Sequence, residues 1–515
     1  FGNVAVGYRG TVRVTSSDPL AVPPPDYTFV AADDGVHVLT ATLRTSGAQS
    51  LTATDSVSPS ITGSQPSIVV MPGPAATLAV EGFPSPVTAG VAGSFTVTAR
   101  DTFGNVATGY AGTVAFSSTD PQANLAGTYG FQPSDQGTRS FMGTLRTAGT
   151  RSLTATDTAT PALTGTQGSI LVTAAAPAAL VVAGHPSPAS ACGPGSFTVT
   201  ARDAFANLVT GYLGTVHFTS DDGAATLPAD YTFTAGDSGS RAFSATLRTA
   251  GTRSISATDA AASISGSQGS IAVVPGAPAT LVVSGIPSPT AVGNLNTVTV
   301  EVRDACGNTV TGYTGTVHFT STDPAATLPA DYTFTAGDAG RHTFLAGVAF
   351  QTAGTRSVTA TDTAAATLTG TQAGIAVAAG ASTRFRVTQI VSPSIAGTPS
   401  GVRVEALDQF NNPKPSYLGT VRFTSSDGAA TLPADYTFTA LDNGVRTFPN
   451  GVTLFTAGTQ LVTVTDTIDA AATGSQVGIV VNPGPASTFV VAGFPSPVTA
   501  GTPGTVTVTV RDTYG

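Results

Sequence analysis

Aspartate is the residue type in this chain whose number and spacing could do chemistry. Five aspartate positions recur down the sequence. One set runs Asp101, Asp120, Asp135 and Asp157, and a fifth position is filled as Asp26, Asp230, Asp331 and Asp435. If strands and turns alternate along the chain, three of these turns fall at one pole of each repeat. Asp101, Asp135 and Asp157 would then converge, with the Asn105 amide nearby. Asp203, Asp237 and Asp259 would do so one period on, and Asp304, Asp338 and Asp362 one period further. Oxygen ligands gathered from several turns suit calcium, which takes about six to eight of them. A second reading needs no metal. Asp is a common turn residue because its side chain accepts hydrogen bonds from nearby backbone N–H groups. No dense Asp-x-Asp-x-Asp loop is present, so calcium at the repeat junctions and plain turn chemistry both stay open, and no cofactor is required.

The two cysteines are more specific. Cys192 stands where the preceding period has Gly90, and Cys306 stands where Phe103 and Phe205 stand. The first of these turns falls at the distal pole of one repeat and the second at the proximal pole of the next. The pair is therefore a candidate inter-domain disulfide, which requires Cα atoms within about 7 Å. The alternative is two separate thiols, with Cys306 filling a phenylalanine's pocket.

The remaining reactive types form no constellation. His217 and His318 occupy a position filled elsewhere by Arg13, Ala115 and Arg422, which suggests a solvent face, and His37, His185 and His342 are isolated. There is no Gly-x-Ser-x-Gly elbow, and Glu81, Glu301 and Glu405 are the only glutamates, so neither a nucleophile elbow nor paired glutamates are available. The expectation is a chain without enzymatic activity.

These residues ride on a long repeat. Tyr8, Tyr110, Tyr212, Tyr313 and Tyr417 recur at steps of 102, 102, 101 and 104 residues, the last four in near-copies of Ser94-Phe-Thr-Val-Thr-Ala-Arg-Asp-Thr-Phe-Gly-Asn-Val-Ala-Thr-Gly-Tyr and Tyr8 in its final part, Phe-Gly-Asn-Val-Ala-Val-Gly-Tyr. A period of this size can close its own core. The tyrosine ring is expected to cover a sandwich edge, with its hydroxyl bonded to backbone. Alternation with period two dominates and no helical periodicity of useful length occurs. In 177–277 seven short strands are expected, around Leu180, Ser196–Arg202, Gly214–Thr219, Tyr231, Ala242–Leu247, Ser254–Thr258 and Ser270–Val274. That number of strands with turn signals between them reads as an immunoglobulin-like sandwich, here without the tryptophan and core disulfide of antibody domains. The expected organisation is a tandem all-β array forming an elongated rod of roughly 200 Å. Its repeats are 74–176, 177–277, 278–380 and 381–484, flanked by the partial repeats 1–73 (strands C to G) and 485–515 (strands A and B). Proline-rich junctions such as Pro72-Gly-Pro-Ala stiffen most of the joins, and residues 379–382 serve without proline.

Composition agrees with a folded array. Charged residues are 10% and apolar residues 41% of 515, with net charge −9, unlike a disordered polyelectrolyte. Lys414 is the only lysine and the arginines are scattered, so no basic patch for nucleic acid forms. No apolar run approaches the roughly 20 residues of a membrane helix.

The pattern Val-Thr-Ala-Arg-Asp-x-Phe-Gly-Asn, then Gly-Thr-Val-x-Phe-Thr-Ser, then Thr-Ala-Gly-Thr-x-Ser-x-Thr-Ala-Thr-Asp resembles bacterial immunoglobulin-like tandem repeats. These include the invasin/intimin type and the long Thr/Gly/Ala-rich surface proteins of environmental bacteria. The resemblance covers the whole chain, although Asn411-Asn-Pro-Lys-Pro departs from the Gly-Asn turn of other repeats. It implies an extracellular, cell-surface stalk or fibre serving spacing, adhesion or matrix assembly. The partners it implies are other copies of the chain, with any host, matrix or glycan ligand outside this segment. Two alternatives are carried. One is a filament subunit polymerised by strand complementation between the partial end repeats. The other is a carbohydrate-binding appendage of a larger secreted enzyme.

Overall fold

Alternation along single strands decides which residues meet. In the strand Ala92–Arg100, Phe95, Val97 and Ala99 are buried while Ser94 faces solvent and the threonines between them are only partly covered. The computed structural model describes residues 2–381 and 383–515. Ser382, at the end of the proline-free junction, lies outside the described residues. Contacts divide the chain into two units, Phe1–Ala189 with Gly193–Val273, and Ser190–Cys192 with Val274–Gly515.

In the first unit, the strands Thr77–Glu81, Ala92–Arg100, Thr138–Thr144 and Asn124–Leu125 form one sheet in that order. Tyr129–Gly130, Thr113–Ser118, Gly149–Asp157, Thr164–Thr173 and Val87–Thr88 form the other. Val87–Thr88 joins its neighbour in parallel, so the first strand of the domain divides between the two sheets. The inner faces enclose Phe95, Val97, Val114, Leu145, Leu153 and Ile170. Where an antibody domain has tryptophan and a disulfide, three rings meet. Phe95, Phe116 and Phe141 have centroids 5.5, 5.8 and 4.6 Å apart in edge-on and tilted contacts. Residues 177–273 repeat the plan with Phe197, Phe218 and Phe243, and Thr11–Ser16, Tyr27–Thr28, Gly47–Asp55 and Thr62–Val70 form a four-stranded sheet.

The second unit contains two more sandwiches. In one, Pro278–Ser284, Asn296–Asp304 and Arg341–Val348 face a five-stranded sheet that includes Thr316–Ser321, Gly354–Asp362 and Thr369–Ala378. In the other, Arg384–Thr388, Pro399–Leu407 and Val445–Thr453 face the equivalent sheet through Thr420–Ser425, Gly458–Asp466 and Thr473–Asn482. Thr488–Ala492 pairs with Thr507–Arg511. The chain is thus an all-β tandem of immunoglobulin-like sandwiches.

The strand expected around Tyr231 is only two residues long, and it hairpins back onto Thr215–Ser220. Tyr231 packs against Phe233 and Phe243, and the chain then turns at Asp237.

Replacing Phe95, which is 1% exposed, by alanine should cost its domain about 3–5 kcal/mol. Denaturant unfolding of the full chain should show one transition moving to lower denaturant. A loss below about 1 kcal/mol would mean that the three rings do not hold this core.

Candidate functional site: the domain junctions

In the four sandwiches between residues 74 and 484, the turn after the second long strand begins with a buried aspartate. Asp101 Oδ1 accepts the N–H groups of Phe103 and Asn105 at 2.8 and 2.9 Å. Its Oδ2 accepts the Asn105 side-chain amide at 2.8 Å and the N–H of Gly73, in the preceding linker, at 2.9 Å. The Asn105 amide then reaches into residues 44–46, donating to the Arg44 carbonyl at 2.6 Å and accepting from the Ser46 N–H at 2.9 Å. One side chain therefore reads both a donor and an acceptor of the neighbouring turn.

The same device recurs within the first unit. Asp203 accepts from the Ala175 N–H, and Asn207 bridges to the Arg146 carbonyl and the Ala148 N–H. In the second unit Asp408 accepts from Gly380, and Asn412 bridges to Gln351 and Ala353. Asn412 keeps this role although Asn411-Asn-Pro-Lys-Pro departs from the other repeats, because Asn411 adopts the left-handed backbone (φ 68°) that Gly104 adopts elsewhere (φ 85°). Asp304 and Asp512 likewise accept the linker N–H groups of Gly276 and Gly484.

The turn that Asn207 reads is itself built on a carboxylate. Asp120, 3% exposed, accepts from the N–H groups of Gln122, Arg146 and Thr147. Asp18 does the same for Arg44 and Thr45, and Asp323 for Gln351 and Thr352. Rings complete the joins. Phe205 lies over Gly90, where a Cβ would come within 2.5 Å of it, and the Arg146 guanidinium sits 5.7 Å from the ring centre. In the second unit Phe410 covers Gly293 and Tyr514 covers Gly397. Cys192 and Cys306 have Cα atoms 6.1 Å apart and their sulfurs are joined. The segment Ser190–Cys192 belongs to the second unit, as does Cys306.

The nine aspartates grouped by threes in the sequence are not brought together. Asp101, Asp203 and Asp304 sit in the linker networks. Asp135, Asp237 and Asp338 cap their own short 3-10 turns, accepting from Gln132, Thr234 and Thr335 and from Tyr129, Tyr231 and Tyr332. Asp157, Asp259 and Asp362 each hold the turn that follows them and a tyrosine hydroxyl. Asp259 accepts the N–H groups of Ala261 and Ala262, and Tyr212 at 2.7 Å. Among the described residues no group of three or more His, Cys, Asp or Glu is placed to hold a metal ion. The physical reason is local: each carboxylate is turned toward donors of its own network rather than toward a shared point.

The tyrosine hydroxyl differs from its expected backbone bond. It donates to an aspartate 47 residues on in Tyr8, Tyr110 and Tyr212, and 49 on in Tyr313 and Tyr417. This pair also explains Tyr-x-Gly-Thr, since a Cβ on Gly112 or Gly214 would overlap both partners. His217 and His318 lie exposed beside Asp230 and Asp331 at 2.7 Å. His185 is buried, with Nδ1 near the Pro186 carbonyl.

Charge follows these bonds. Burial alone would raise the Asp101 carboxyl, but the Asn105 amide and the N–H groups of Gly73, Asn105 and Phe103 outweigh it and hold it below the usual carboxylate range. Burial likewise opposes ionisation of Asp222, yet donors from Thr249, Arg248 and Ala224 bring it down to about 2. Tyr212 is pushed up by burial and by the Asp259 carboxylate.

Two outcomes follow from this geometry. Asn207→Ala removes one donor and one acceptor between neighbouring domains. The Ala148 amide should then lose hydrogen-exchange protection by about 1–3 kcal/mol, while amides of the strand Ala92–Arg100 keep theirs; unchanged protection at Ala148 would rule out the bridge. The carboxylates are depressed in the folded chain, so their stabilisation is complete above the unfolded value of about 4 and is lost as pH falls through folded values such as that of Asp222. Calorimetry should find the melting temperature flat from about pH 7 to 5 and falling between about 4 and 2. A flat profile down to pH 2 would show that the anions contribute nothing.

No protein-family pattern matches the chain. No curated protein matches it either. Among solved structures, it is similar to the Escherichia coli adhesin FdeC, at 20% identity over 59% of this chain and 96% of that one, with a TM-score of 0.27. It is similar to invasin, a bacterial integrin-binding protein, at 14% identity over 81% and 80%, with a TM-score of 0.28. It is also similar to domains 4–9 of the surface layer protein SbsC, at 16% identity over 99% and 80%, with a TM-score of 0.22.

Proposed function

We propose that this chain is a non-enzymatic segment of an extracellular bacterial stalk or fibre, whose work is to space and to transmit tension between what lies at its two ends. The observation that carries the reading is the recurrence of one hydrogen-bonded join. Asn105 with residues 44–46, Asn207 with 146–148 and Asn412 with 351–353 use the same atoms in the same roles. The repeated chemistry of the chain is spent on fixing neighbouring turns to one another. Hydroxyls paired across neighbouring strands, such as Thr154–Thr166 and Thr156–Thr164, support the reading too, because they satisfy one another within the sheet. A disulfide suits an oxidising, extracellular setting.

The test is solution scattering of the full chain beside the triple variant Asn105→Ala, Asn207→Ala, Asn412→Ala. The variant should keep its strand content and melting temperature within a few degrees, yet show the broadened distance distribution of freely hinged domains. If the two chains scatter alike, the joins do not set domain geometry and the stalk reading loses its support.

A further inference from the structure

Three joins pair a left-handed glycine with a ring of the following repeat: Gly90 (φ 83°) with Phe205, Gly293 (φ 78°) with Phe410, and Gly397 (φ 77°) with Tyr514. The glycine is required twice over, by its backbone and by the ring above it. Cys192 stands at the same place with φ 67°, and Cys306 at the place of the ring. Neither replacement works alone. A side chain at the first position has no room beneath a phenylalanine, and a non-glycine residue gains nothing from a left-handed backbone. Made together, the two changes exchange a ring contact for a covalent bond at matched positions.

The bond closes a loop between residues 114 positions apart in sequence. That loop holds Pro194–Asp203, Thr215–Ser220, Ser240–Thr246, Gly251–Asp259 and Ile264–Val274, and then Pro278–Ser284 and Asn296–Asp304. Tension applied at the ends of a polypeptide follows the shortest covalent path. Here that path enters at Cys192, crosses the two sulfurs and leaves at Cys306.

We propose that the Cys192–Cys306 bond is a redox-set bypass that takes residues 193–305 out of the line of tension. The proposal rests on reading the chain as a tension-carrying stalk. Oxidised, the chain has a short limit of extension: the pull passes from Pro177–Ala183 and Ala189–Ser190, which stay in line ahead of Cys192, across the sulfurs to the residues after Cys306, and the strands between the two cysteines are bypassed. Thiol–disulfide exchange with an external dithiol opens the loop. The dithiol gives two electrons and two protons, becomes a disulfide itself, and leaves Cys192 and Cys306 as thiols. The second limit of extension is then longer by the looped residues.

The experiment stretches the full chain from its two ends, one molecule at a time, to complete unfolding, with and without dithiothreitol. At roughly 3.3–3.6 Å per residue, the reduced chain should extend about 400 Å further. Cys306→Ser should show the longer limit without reductant, and native chain should take up thiol reagent only after reduction. Equal extension with and without reductant, or two reactive thiols in untreated protein, would overturn the bypass. So would a Cys306→Ser chain that stops at the short limit. These lengths do not depend on the asparagine joins, so the scattering test can fail while the bypass stands, and the reverse.

Discussion

A carboxylate withdrawn from water costs on the order of several kcal/mol unless donors replace its hydration. This chain withdraws many of them, and those at the joins, such as Asp101 and Asp120, are positioned so that their donors come from separate stretches of backbone. Asp101 is satisfied only when its own turn, the Asn105 side chain and the linker at Gly73 are all in place. The penalty for burying the charge therefore becomes a constraint on where the linker runs. Asp120 applies the same constraint to residues 146 and 147, and Asp157 to the turn after it and to Tyr110. Sheets supply the apolar area of each domain, but the anions decide how the turns at its poles are shaped, and those turns are what one domain presents to the next.

Small residues make the close approaches feasible. Gly112 leaves room for the bond between Tyr110 and Asp157, and Gly90 leaves room for Phe205. The low charge content of the chain has a matching account. Threonines at exposed strand positions bond to one another across strands, as Thr359 does with Thr371 and Thr361 with Thr369, which satisfies polar groups without ion pairs. The ion pairs that do occur gather mostly at the turns, where Arg139, Arg241 and Arg446 each reach an aspartate four residues back and lie over a tyrosine.

Much of the fold was legible because it is local. Alternation around Phe95 and Val97 names a strand and its inward face, and the recurrence of Tyr110 gives the period. What was not legible is non-local. A strand was expected around Tyr231 and is there, but its two-residue length and its pairing with Thr215–Ser220 go with contacts to distant residues such as Phe243. The tyrosine's partner lies 47 to 49 residues away, beyond anything spacing within a turn reveals. Expecting Asp101, Asp135 and Asp157 to meet assumed that turns at one pole point at one another. The geometry instead sends Asp135 back to Gln132 and Tyr129, because the start of its own short 3-10 turn offers a backbone N–H for it to accept. The spacing did mark Asn105 as belonging near Asp101, but not that it reads a turn of the preceding domain.

The joins also differ in what can loosen them. Where Asn207 and Asp203 make the contact, its polar part is hydrogen bonds to an anion or an amide, beside the Phe205 ring over Gly90, and such bonds depend on the charge of the carboxylate and on competition from water. Where Cys192 and Cys306 make it, the bond is indifferent to protonation and yields to electron donors instead. Asp304 stands two residues from Cys306 and accepts its N–H while also holding the linker at Gly276. At that turn both kinds of constraint act on the same few atoms. Acid acts on Asp304 and reductant acts on the sulfurs, so neither alone removes everything that holds the turn against the linker. The other joins rest on the anionic network and the ring alone, and a drop in pH weakens the network at each of them together.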